Sequence, residues 1–183
     1  MLASNVTAAK PKIGGAIYVA PVGTALPTDA TSVLDNAFKE VGFASDAGIV
    51  NTPSITTNAI KVWGGATVLE PVTEKVDDWK FTLVEAKNVE TLKLIYGADN
   101  VTGTLDTGIV IKQNATSDYE KHAIVVDMIL DNAVKRVVLP EAKLKALGEI
   151  KYTDSDAVGY ESTFGCAPDA SGYSHYEYIK KAE

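Results

Sequence analysis

The chain carries a single cysteine, Cys166, a single arginine, Arg136, and two histidines, His122 and His175, among 183 residues. One cysteine excludes an intrachain disulfide and any multi-cysteine metal site. So few thiols and imidazoles leave little from which to build a catalytic centre. The scarcity of arginine matters as much. Tight phosphate grips and base-edge readout lean on its fork of donors, and basic patches supply the affinity. Charge points the same way, because 24 acidic and 17 basic residues give a net −7. Such a chain is not expected to grip nucleic acid. Residues 1–12 lack a basic start followed by an apolar run, so no signal peptide is expected. No uninterrupted apolar stretch approaches ~20 residues, so no membrane-spanning helix is expected, and synthesis in the cytosol is the natural reading.

What is present suits a folded protein. Hydrophobic residues at 46% and charged residues at 22% are globular proportions, and a chain of this length buries a core without staples. Residues 1–12 are small and polar (Ala3, Ser4, Asn5, Thr7, Ala8, Ala9), which predicts a flexible N-terminal arm. Residues 13–183 are expected to form one domain. Apolar residues recur there mostly with period two, the signature of strands. Ile17, Tyr18 and Val19 open a strand that ends at Pro21, a turn-rich loop follows, and a second short strand is expected at 38–43.

Residues 54–76 differ from the rest. They read as two arms, 54–62 and 67–76, about a turn at Trp63, Gly64 and Gly65. Neither face of either arm is cleanly apolar, and an isolated hairpin is marginal in water. This protruding hairpin is either a floppy loop or finds partners on another subunit. Trp63 at its tip either docks onto such a subunit or folds back over its own domain.

A strand at 79–84 precedes the one convincing helix. Asn88 fits its N-cap, Val89, Leu92, Ile95 and Tyr96 its apolar stripe, and Gly97 its stop. Short strands at 101–105 and 108–112 follow. Residues 122–130 and 133–139 form the clearest hairpin around Asp131 and Asn132, apolar on both faces except for Asp127. Pro140 puts an edge or bulge near its end. Strands at 147–153 and 157–166 and a tyrosine-rich strand at 173–179 complete the pattern. The fold class is mainly β: a β-sandwich or barrel of about ten short strands with one packed α-helix and a protruding β-hairpin.

Candidate chemistry is sparse. Cys166 and His175 could form a nucleophile pair, but nothing in the sequence orients them. His122 begins a core strand and reads as a satisfied or rim histidine. Asp77 with Asp78, Asp154 with Asp156, and Asp127 could be paired for acid–base or metal work, yet carboxylates flanking strand ends read more simply as solvated turn residues. No stretch matches a calcium loop, a phosphate-binding glycine loop or a zinc helix, and no cofactor is expected. Tyr173, Tyr176 and Tyr178 alternate with polar residues as in a half-exposed strand, although aromatic faces can also form a carbohydrate platform.

Two stretches carry a family likeness. Gly15 to Thr24 is followed by Leu26, Pro27 and Thr28. Val41, Gly42 and Phe43, with Ser45, Asp46, Gly48 and Ile49, lead to Ile60 and then Trp63, Gly64 and Gly65. In order and spacing these resemble the major tail protein, or tail tube protein, of long non-contractile phage tails. The likeness covers about residues 1–80, and beyond them only the strand pattern and the single helix agree. The resemblance implies a structural virion protein and not an enzyme. It implies homohexameric rings with a closed inner barrel, stacked into a tube that is assembled in the host cytoplasm. DNA passes through the lumen without specific binding, and no membrane is involved. Other tail proteins (tape measure, tail terminator, distal tail) are the implied partners. An additional C-terminal immunoglobulin-like domain, found in some members, is not expected. Asp46, Ile55, Ile60, Trp63, Gly64, Gly65, Val68 and Val72 are the expected contacts between rings and subunits, and the helix is expected to pack outside the barrel. Six copies at −7 give 6 × −7 = −42 per ring, a charge that would repel DNA if it faces the lumen. A tube subunit of the type VI secretion kind and a carbohydrate-binding β-sandwich are the alternatives.

Overall fold

The computed structural model describes residues 5–12 and 15–182. Ala3 and Ser4 of the expected arm, Ile13 and Gly14 beside the first strand, and Glu183 lie outside the described residues. In chain order the strands begin with β1 (Lys10–Pro11), β2 (Ile17–Pro21), β3 (Lys39–Glu40), β4 (Ala44–Thr57), β5 (Ile60–Lys61), β6 (Thr67–Leu69) and β7 (Val72–Leu83). The helix α1 (Val89–Tyr96) follows, then β8 (Val101–Thr102), β9 (Val110–Ile111), β10 (Lys121–Leu130), β11 (Ala133–Leu147), β12 (Tyr160–Ala167) and β13 (Tyr176–Lys181). The protein is mainly β with one packed helix and a sandwich-like arrangement.

One antiparallel sheet runs β3-β2-β10-β11-β12-β7-β4, with β1 added to β10 and β13 to β11. Among the described strands it does not close into a barrel, so of the two expected arrangements the sandwich-like one is found. The sheet ends at β3 and at the long strand β4, whose outer edge pairs with no other described strand. Strand β11 divides the sheet. One of its edges follows β10; along the other, residues 133–138 pair with β13 and residues 141–147 with β12. The change falls at Pro140, opposite a register shift between His122 and Ile124. Proline cannot donate to a ladder, and a bulge carries the chain past it without ending the strand.

That bulge explains one misplaced element. A strand is expected at 147–153, but β11 runs on through Pro140 to Leu147, and residues 148–159 form no strand. The second hairpin is therefore β11 with β12, not 147–153 with 157–166. Likewise the arm at 67–76 and the strand at 79–84 are not separate, because β7 continues from the arm into the core. The strand expected at 38–43 is only the two residues of β3.

Both faces of β10 are covered, as its sequence requires. Ile124 and Val126 join Val137, Leu139 and the aromatics Phe81 and Phe164 in the main core. On the opposite face Ala123, Val125 and Val138 form a second cluster under Leu26, Leu34 and Phe38. The cover there is the loop between β2 and β3 and not a second sheet. Helix α1 begins where Asn88 accepts hydrogen bonds from the amides of Glu90 and Thr91, and ends at Gly97 with φ 93°. It buries Leu92, Leu94 and Ile95 against the main core, each such side chain contributing about 1.5–3 kcal/mol.

Candidate assembly interface

Strands β4 and β7 pair from Ile49↔Phe81 out to Thr57↔Val72. The inner half of β7 alternates Trp79, Phe81 and Leu83 into the core. Beyond it the core ends, and every residue from 52 to 75 is exposed. Along this shaft the polar groups serve one another: Thr57 Oγ1 donates to Glu70, and Thr73 Oγ1 to the carbonyl of Thr56. Strands β5 and β6 extend the arm to a turn closed by Val62 N to Ala66 O and Gly65 N to Val62 O, both 2.9 Å. Gly64 and Gly65 sit at φ 100° and 87°, where only glycine is comfortable. Between Val62 and Gly64 stands Trp63, 104% exposed. Of its two possible positions, folded back or projecting, it occupies the second.

The fold thus gathers Ile55, Ile60, Trp63, Gly64, Gly65, Val68 and Val72 on one arm. Asp46 lies far from them. It sits where the register jumps between Ala44↔Leu83 and Ile49↔Phe81, in a bulge of β4 at the foot of the arm. That bulge forms one wall of an apolar groove of about 740 Å³, whose other wall is β1 and β10; Pro11, Phe43, Ile49 and Met128 line it. The groove is not evident in the sequence, since the β4 bulge and β10 that line it are more than 70 residues apart in the chain.

The family model Phage tail tube protein matches residues 5–183. The chain belongs to the phage tail tube protein family. Comparison with curated proteins gives no match. A tail tube protein is a structural component of the virion tail, built by assembly with copies of itself and with other tail proteins. No described helix of this one is long and apolar enough to cross a membrane.

Where the arm meets the body, the tail tube protein has a buried polar hub that the sequence does not announce. Asp77, 8% exposed, accepts from Asn51 Nδ2 at 2.6 Å, Trp79 Nε1 at 3.1 Å, Ser174 Oγ at 2.7 Å and His175 Nδ1. This corrects the reading of Asp77 as a solvated turn residue. Burial works to raise the carboxyl's pKa, but the hydrogen bonds from Ser174, His175 and Asn51 outweigh it and hold it below the usual carboxylate range. The hub ties β4, β7 and the segment before β13 together. Asp78, in the same strand, pairs instead with Lys145 at 2.7 Å.

The remaining titratable candidates are committed to structure. Burial, with the charges of Asp77 and Asp78, pushes the Cys166 thiol up to about 12, so it stays protonated near neutral pH, and the His175 ring is held by Asp77. Desolvation lowers His122, against an opposing pull from Glu120. Asp127 is part of no acid–base pair. It takes Arg136 Nε at 2.7 Å and Nη2 at 2.9 Å, while Nη1 of the same guanidinium reaches the carbonyls of Ser32 and Asp29. The tail tube protein's one arginine is 2% exposed, with its donors spent inside the subunit. Tyr176 and Tyr178 stack on each other and pack against the second apolar cluster. Asp154 and Asp156 are exposed in a loop, where Asp156 Oδ2 takes the Thr153 hydroxyl.

Proposed function

We propose that this protein forms hexameric rings that stack into the tail tube and enclose the channel through which DNA leaves the particle. The observation that carries this reading is the arm exposed on both faces from residue 52 to residue 75. A two-stranded ribbon without a core is marginal on its own, so a second subunit is its natural complement. The free edge of β4 supports strand addition between neighbours, which removes exposed backbone groups. Asp46, Ile55, Ile60, Trp63, Gly64, Gly65, Val68 and Val72 are the contacts between rings. A net −7 per chain and a buried lone arginine favour a wall that lets DNA slide past without holding it. Tape-measure, terminator and distal tail proteins would meet the tube inside and at its two ends.

Deletion of residues 55–72 tests this reading, because it removes the arm and spares the core. The shortened chain should unfold at nearly the same temperature as the full one and yield no tubes in negative-stain micrographs. Trp63→Ala should weaken polymerisation with the same indifference to unfolding. Normal tubes from the shortened chain would refute the reading.

A further inference from the structure

The two ends of the arm are chemically complementary. At the tip, Ile60, Val62, Trp63, Val68 and Leu69 are exposed together. At the foot lies the apolar groove beside Asp46, of about 740 Å³, ample for an indole with aliphatic neighbours. Charge matches as well. Among the described residues neither the side chain of Lys61 at the tip nor that of Asp46 at the groove rim has a hydrogen-bond or ion-pair partner. At the groove Lys12 and Arg136 pair with Asp127, and near the tip Glu70 takes the Thr57 hydroxyl.

We infer that the groove between β1, β10 and the β4 bulge receives the hairpin tip of a second copy of this chain, with Trp63 seated among Phe43, Ile49 and Met128 and with Lys61 of the incoming tip paired to Asp46. This rests on the tube reading above and adds the acceptor surface to it. A protein cannot fill its own groove. At about 3.3 Å per extended residue the arm carries Trp63 roughly 45 Å from Ile49. The contact is therefore heterologous, each copy giving a tip and receiving one. Such contacts propagate without closing when the rotation between copies does not return on itself. A buried tryptophan ringed by aliphatic groups is the usual energetic centre of an interface. The lysine–carboxylate pair at its rim fixes which way the tip enters.

Full-length chains with reversed charges, together with a cysteine pair, test the contact. Asp46→Lys alone and Lys61→Asp alone should each cut the assembled fraction about ten-fold at low salt, and the double reversal should restore most of it. In a Cys166→Ser background, Val62→Cys with Phe43→Cys should give a ladder of disulfide-linked subunits under mild oxidation, in the tube but not in the free subunit. The unfolding temperature of each variant controls for folding. Tubes that form while the double reversal rescues nothing and no ladder appears would overturn the groove as acceptor and leave the tube reading intact. Failure of the unaltered chain to assemble would overturn the tube reading, and this contact with it.

Discussion

Arg136 and Asp127 stand directly opposite each other on β11 and β10, with side chains 2% and 7% exposed. Two parallel hydrogen bonds join them, and the guanidinium's remaining donors hold the backbone of the loop that covers the second cluster. Removing Arg136 leaves the buried Asp127 with only the half-exposed Lys12, at 3.3 Å, as counter-charge, at a cost of up to about 3–5 kcal/mol. Arg136→Met should therefore lower the stability measured by urea unfolding by about that amount. The double variant Asp127→Leu/Arg136→Met should recover part of the loss. A single-variant cost below about 1 kcal/mol would mean the pair is not buried in solution. Asp127 was visible in the sequence as the one charge on an otherwise apolar strand, and Arg136 as the one arginine. Their partnership was not, because a strand's period shows which face a residue takes and not which strand lies beside it.

The arm, at the scale of elements, is anchored by Asp77. Its folded carboxyl lies below its ordinary value, so the stabilisation it supplies is present above about pH 4 and disappears as pH falls through the lowered folded value. Asp77→Asn should lower the thermal midpoint near pH 7, by an amount equivalent to about 1–3 kcal/mol. That difference from the unaltered protein should shrink toward zero in acid. Limited proteolysis should meanwhile cut faster between β12 and β13, where Ser174 and His175 lose their acceptor. A difference that persists unchanged in acid would contradict the charged hub. Elements with local signals were legible in the sequence: α1 from Asn88 and Gly97, the β10–β11 hairpin from Asp131 and Asn132, and the tip turn from Gly64 and Gly65. Non-local features were not. Asp77 follows Val76 in what looks like a strand end, and only the approach of Asn51 and Ser174 makes it a buried acceptor. Pro140 marks the bulge, but only the pairing on either side of Ala123 shows that β11 continues through it.

For the whole molecule, body and arm follow different rules. The body holds itself together: two apolar clusters fill both faces of β10 and β11. The arm has no core on either face, so its ladder from Ile55 to Val72 competes with water at every hydrogen bond. In the assembled tube the same amides would lie under another subunit. Amide hydrogen exchange compares the two states directly, on the free subunit and on polymer under the same conditions. Residues 55–72 should exchange rapidly in the free subunit and slow by at least about a hundred-fold in the polymer, while β10 and β11 stay protected in both. Protection of the arm already complete in the free subunit, or absent from the polymer, would contradict an arm completed by a neighbouring copy.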